Sequence, residues 1–200
     1  MREILPGVWH WSTFHEPIGR PVSSYYVEPA HAVIDPKVPD EGLDALPGRP
    51  ELVVLTIGLH HRDAAVFAET FGIPIRSSHE ADERLGGRLV VQPFHDGEAL
   101  APGISAIRIG QIAPDEYALH VSAGEGALSF ADGLVNYDGL RFVPDSLLGE
   151  DPEAVKRGLR ACFRELLSRE FDHLLFAHGE PMIGGGKAAL RAFAEAEAEG

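Results

Sequence analysis

Short apolar runs broken by turn residues fill the first two thirds of the chain, and longer helical stripes fill the end. Residues 22–28 carry the β-branched and aromatic side chains of a strand, and residues 32–35 form a short apolar segment stopped by Pro36. Residues 41–50 read as a turn-rich or short helical connection, and residues 51–57 as a strand covered on both faces, because the run is almost unbroken. Ala65, Val66 and Phe67 sit among helix formers in residues 62–70, and Gly72 supplies a C-cap. A second strand–helix unit follows: residues 73–76, then a helix from about Ser78 to Leu85 with Glu80 and Asp82 in its first turn.

Residues 89–94, 104–109, 117–121 and 127–130 are further strand candidates, and the spacing of the last three predicts an antiparallel meander. Asp151-Pro152-Glu153 is a helix start: an N-cap, a proline in the first turn and an acid at the positive end of the dipole. Val155, Leu159, Cys162, Phe163, Leu166 and Leu167 then share one face, which makes Cys162 a small core residue rather than a nucleophile. Residues 173–177 read as a buried strand, and a last helix runs from about Lys187 into the acidic tail. With no repeat and no linker, residues 1–200 read as one domain of two packed sheets with helices outside.

Composition narrows the function. A formal net charge of −14 and scattered basic residues disfavour a nucleic-acid partner. The single Cys162 excludes an internal disulfide and a cysteine-built zinc cage. No apolar stretch suits a signal peptide or a membrane span, so the expected address is the cytoplasm. There is no Gly-x-Ser-x-Gly elbow and no His-Glu-x-x-His motif. The glycines before Lys187 fail as a phosphate loop, since Pro181 and Ala188 stand at two of its required positions. Trp9, Trp11, Phe14, Tyr25 and Tyr26 make an aromatic N-terminal region, read first as core and second as a ligand pocket or homodimer contact.

Four stretches that follow or end strands carry the candidate chemistry: Thr56-Ile57-Gly58-Leu59-His60-His61-Arg62-Asp63, Ile112-Ala113-Pro114-Asp115-Glu116, Phe130-Ala131-Asp132-Gly133 and Ala177-His178-Gly179-Glu180-Pro181. A rigid sheet holds such side chains while leaving them free to reach a ligand. Their order and spacing resemble the metallo-β-lactamase superfamily, in particular its small glyoxalase-II-like hydrolases, over almost the whole chain. The resemblance implies an α/β (α+β) fold, a four-layer αβ/βα sandwich with metals held by loops at one edge of the two sheets. Residues 32–35 resemble the early strand ending in Ile-Asp.

The departures from that pattern set the functional expectation. At the positions implied for one metal site stand Ile57, Leu59 and Ile112, whose hydrocarbon cannot coordinate a cation, so that site is expected to be absent. At the positions implied for the other stand His61, Arg62, Asp132 and His178. In the preferred reading Arg62 turns into the old cavity and pairs with Asp132, no metal is bound, and the cleft serves a small-molecule ligand or partner with little or no catalysis. In the alternative Arg62 swings away, and His61, Asp132 and His178, with or without His60, hold one zinc, manganese or iron ion for hydrolysis of an ester, thioester or lactone. His60, Arg62 and Asp63 then line the cleft. A third reading is a structural protein that dimerises through the aromatic region. Outside the family pattern each residue has a plainer role: Asp132 as a turn residue, His178 as loop punctuation, and one of the adjacent His60 and His61 facing away.

Overall fold

The computed structural model describes residues 1–196. The acidic tail beyond residue 196 and the side chain of Asp82 lie outside the described residues. Seven strands form the first sheet in chain order: β1 (Arg2–Leu5), β2 (Val8–His15), β3 (Arg20–Val27), β4 (Ala32–Ile34), β5 (Leu52–Val54), β6 (Ile75–Ser78) and β7 (Gln92–Phe94). The first four pair antiparallel, and β4 to β7 pair parallel. The second sheet contains β8 (Ala99–Ala101), β9 (Ile104–Arg108), β10 (Tyr117–Val121) and β11 (Ala127–Phe130). After a small hairpin of β12 (Val135–Asn136) and β13 (Leu140–Arg141), β14 (His173–Phe176) joins that sheet parallel to β11. Among the described residues four α-helices complete the fold: α1 (Ala64–Phe71), α2 (Ala81–Leu85), α3 (Pro152–Leu166) and α4 (Gly186–Glu195).

Three apolar clusters separate four layers. Tyr25, Ile34 and Val54 point inward and meet Tyr117, Leu119 and Leu175 of the second sheet. Their neighbours Tyr26, Val33 and Val53 point outward and meet Phe67 of α1. Strand residues alternate in direction, so a central strand with helix on one side and sheet on the other must be apolar at every position. On the far side, Leu128, Phe130, Leu174 and Phe176 pack against Leu159, Phe163 and Leu166 of α3 and Leu190 of α4. Each such fully buried side chain contributes about 1.5–3 kcal/mol. The αβ/βα sandwich expected from the sequence is therefore present, with helices outside both sheets.

Several local expectations hold in detail. The Asp151 carboxylate accepts the Ala154 N–H at 2.9 Å, capping α3, and Gly72 closes α1 at φ 68°. Val155, Cys162 and Leu167 are half-buried against the same cluster as the rest of their stripe. Other boundaries shift. The strand expected at residues 51–57 is regular only over Leu52–Val54, because the Thr56 N–H turns aside to the Asp35 carboxylate. The helix expected from Ser78 starts at Ala81, since Ser78 still pairs with Phe94 in β6 and β7. The aromatic N-terminal region is itself strand: Trp11, Tyr25 and Tyr26 are buried in the core and Trp9 is half-buried against it, but Phe14 is 49 % exposed, against the core reading. No helix of the described residues is long and apolar enough to cross a membrane.

Candidate metal centre

The carboxyl ends of β4, β5, β11 and β14 lie together at one edge of the sandwich and deliver Asp35, Thr56 to His60, Asp132 and His178. Two contacts between the sheets fix this edge. The Tyr25 hydroxyl donates to the Phe176 carbonyl at 2.8 Å and accepts the Phe176 N–H at 2.9 Å. One step further along, the Ser23 N–H donates to the Ala177 carbonyl at 2.9 Å. Backbone groups that an edge strand would leave bare are thereby satisfied, and His178 starts from an anchored residue.

Asp35 organises the first sheet's contribution. Its backbone is held at φ 45°, a conformation few non-glycine residues adopt. Its buried carboxylate accepts the Thr56 N–H at 2.8 Å, the Thr56 hydroxyl, and Nδ1 of His60 at 2.9 Å. With Nδ1 so engaged, the other ring nitrogen of His60 faces the second sheet. His60 Nε2 lies 3.2 Å from Asp132 Oδ1 and 3.3 Å from His178 Nε2. His178 Nε2 lies 3.0 Å from the same Asp132 oxygen.

Charge follows from this packing. Burial pulls the His60 imidazole down, but Asp132 and then Asp35 outweigh it and raise its pKa to about 9. Burial likewise opposes ionisation of Asp132 and Asp35, yet His60 and its hydrogen bonds hold both carboxyls below the usual range. Burial, together with the charge on His60, lowers His178 despite its hydrogen bond to Asp132. Two carboxylates thus face the His60 imidazolium and the Arg62 guanidinium, and the four charges cancel.

Arg62 sits under this group but not as expected from the sequence. Instead of forking onto Asp132, it donates to three backbone carbonyls: Ser23 and Asp35, each at 2.7 Å, and Ala177 at 3.4 Å. Its φ of 35° aims the side chain inward between the strand ends. Strand-end carbonyls are strong acceptors at the right spacing for a fork, whereas the Asp132 oxygen facing the cluster is already taken by two imidazoles.

The other expected site residues divide. Asp132 and His178 come together as expected, but their partner is His60, not His61. His61 turns its Nδ1 to the Gly58 carbonyl at 3.0 Å. Residues 58–61 form a tight 3-10 turn with a kink at His60, so adjacent side chains point apart. Asp63 faces away from the cleft and accepts the Val38 N–H at 2.8 Å and Lys37 Nζ at 3.4 Å. The three aliphatic replacements do not form one plug. Ile57 packs with Ala113 and Ala131, Ile112 joins the α3 cluster, and Leu59 is 53 % exposed.

Within residues 56–60 it is Thr56, Gly58 and His60 that face polar partners, alternating with Ile57 and Leu59. Gly58 donates its N–H to buried Asp115 at 2.9 Å. Nearby, Glu116 is buried and accepts the Gly133 N–H at 2.6 Å, bracing the residue after Asp132. Burial and then the Asp132 charge push Glu116 up to about 7. A hollow of about 430 Å³ beside β2 is lined by Arg2, His10, Ser12 and Glu180 among others, but by none of the three clustered groups.

The donor set fits a single metal ion. One carboxylate oxygen and two imidazole nitrogens lie within 4.8 Å of one another. Their separations of 3.0–3.3 Å approach the edge of about 3.3 Å expected between ligands around zinc. Asp35 on the far nitrogen of His60 is the carboxylate support that a metal-bound histidine usually has. Asp35 was visible in the sequence only as the end of an Ile-Asp strand.

No family model matches the chain, and no curated protein matches it. Solved structures do. A B3 metallo-β-lactamase described as having an active-site glutamic acid is 18 % identical, with 96 % of this chain and 85 % of that one covered, at a TM-score of 0.66. A metallo-β-lactamase family protein from Thermus thermophilus is 18 % identical over 96 % of this chain and 78 % of that one, at 0.68. A flavo di-iron protein variant from Thermotoga maritima is 17 % identical over 94 % of this chain and 57 % of the longer one, at 0.63. Identity this low speaks for the backbone alone, and on that evidence the chain has the metallo-β-lactamase fold.

Proposed function

We propose that this protein is a hydrolase of an ester, thioester or lactone that uses one zinc, manganese or iron ion held by His60, Asp132 and His178. The observation that carries this is the convergence of three ligand atoms within 4.8 Å at the strand ends. When bound, the ion would polarise the substrate carbonyl and lower the pKa of attacking water. The chain's own residues prepare that event. Asp35 holds the Nδ1 proton of His60, which leaves Nε2 as the ligand nitrogen. Arg62 fixes the backbone of Asp35 and of Ala177, the residue before His178. The Glu116 carboxyl holds the Gly133 N–H and with it the turn that carries Asp132.

A second reading keeps the cleft metal-free and non-catalytic, with a small molecule or partner bound there. The charge balance favours it: the His60 imidazolium already sits between Asp35 and Asp132, where a cation would otherwise be needed. Elemental analysis of protein grown with zinc, manganese and iron separates the two. The hydrolase reading expects about one ion per chain and metal-dependent cleavage of model esters or thioesters. It also expects Asp132→Ala to lose both the ion and at least about a thousandfold in rate, the scale set by losing activated water. Protein that stays metal-free after incubation with each ion, with no thermal shift, establishes the second reading instead.

A further inference from the structure

Gly58 marks a place where the site lacks a side chain and something else has moved in. A Cβ at Gly58 would meet Asp115 Oδ2 at 3.0 Å and Arg84 Cδ at 3.2 Å. Arg84 comes from α2 and lies over the turn that carries His60 two residues later. Its Nε sits 3.0 Å and 2.9 Å from the two oxygens of Asp115. Asp115 is buried and is fixed in turn by the Gly58 N–H. Only the inner edge of the guanidinium is used. Among the described residues its two terminal amino groups have no hydrogen-bond partner, and the side chain is 34 % exposed.

We infer that Arg84 is a substrate-binding residue whose outward amino groups take a carboxylate on the substrate, so that the hydrolase proposed above acts on anionic esters, thioesters or lactones. A guanidinium is planar and always charged, and two adjacent N–H groups match the two oxygens of a carboxylate. What limits an exposed arginine as a binding group is the freedom of its long side chain. Here Asp115 removes much of that freedom, since a buried carboxylate grips Nε while Gly58 leaves room for the stem to lie flat. The pair also accounts for Asp115 itself: a buried carboxylate at this turn needs a cation, and Arg84 supplies one without being used up by it. This inference rests on the hydrolase reading for the scissile bond, but the carboxylate site stands on its own contacts.

Two measurements test it. The first is calorimetric titration of glutarate, a dicarboxylate with no scissile bond, into metal-free wild type, Arg84→Gln and Arg84→Lys. Saturable binding to wild type, weakened at least tenfold in both variants, is expected. The lysine variant keeps a cation on Asp115 while losing the fork, which guards against a result due only to unfolding. Absence of glutarate binding to wild type, or equal binding to all three, overturns the inference. The second compares the metal-loaded protein on 4-nitrophenyl butyrate and its carboxylate-bearing counterpart, mono-4-nitrophenyl glutarate. The ratio of kcat/KM, anionic over neutral, is expected to fall tenfold or more in Arg84→Gln, mainly through KM. An unchanged ratio counts against Arg84. Failure of wild type to cleave either ester removes the hydrolase reading, while the titration still decides on the carboxylate site.

Discussion

Two neighbouring parts of the same edge have been treated differently. Around His60, Asp132 and His178 two imidazole Nε2 atoms and one carboxylate oxygen converge, with Asp35, Thr56 and Arg62 arranged behind them. At the start of the same turn, Ile57 packs with Ala113 and Ala131, and the polar groups at Gly58 are an ion pair, Asp115 with Arg84. The first region keeps atoms that can coordinate a cation. The second presents hydrocarbon and a guanidinium that brings its own positive charge. One edge of the sandwich thus carries a candidate cation site beside a fixed guanidinium.

The sharpest way to break the first region is to remove Arg62. Its guanidinium satisfies carbonyls from β3, the end of β4 and the end of β14 at once. Burial disfavours its charge and lowers its pKa, an effect that Asp35 and Asp132 offset only in part. Arg62→Met leaves those carbonyls unsatisfied and the two carboxylates with His60 as their single cation, a loss of about 3–5 kcal/mol. Urea unfolding of the metal-free variant should show a midpoint lowered accordingly. A midpoint within experimental error of wild type means that the strand ends hold themselves together and Arg62 is incidental.

That residue also shows how far a sequence can be read. The sandwich was legible because alternation, helical stripes and caps are local signals: Asp151 caps α3 and Gly72 ends α1 as their chemistry demands. Asp132 and His178 were legible for a similar reason, as polar residues one or two places past a strand. His60 was not. Whether it or His61 faces inward depends on a 3-10 turn with a kink, and on the unusual backbone of Arg62, neither of which has a residue-type signature. Arg62 was expected to pair with Asp132, but it lies half-buried on backbone carbonyls, partners that a sequence does not advertise. The Arg84–Asp115 pair was out of reach because it joins residues 31 positions apart through a short helix.

Asp35→Asn is a gentler cut through the same region. The amide keeps the shape and loses the charge that orients and strengthens His60. Losing such a support typically lowers metal affinity about 10–100-fold, which is about 1.4–2.7 kcal/mol. Competition with a chromophoric chelator reads this directly. Equal affinity in wild type and variant would mean that His60 is not a ligand, and the two regions would then differ less than they look.

Taken per pH unit, the smallest effect is set by protons, and it separates the metal-free from the metal-loaded protein. His60 has its pKa raised from the usual 6.5 to about 9 in the folded chain, with Asp132 and Asp35 overcoming the cost of burial. The folded state therefore binds this proton more tightly than the unfolded state does. The stabilisation is fully present below 6.5 and is lost as pH rises through 9, at no more than about 1.4 kcal/mol per pH unit for one group. A metal ion on Nε2 displaces the same proton, so affinity for the ion should rise with pH over that interval while the loaded protein loses this stability slope. Subtracting the curve for His60→Gln isolates the contribution from that of other titrating groups. If metal-free wild type and His60→Gln run parallel from pH 6.5 to 9, the imidazolium between Asp35 and Asp132 does not exist, and the charge balance drawn for this region has to be redrawn around Arg62 alone.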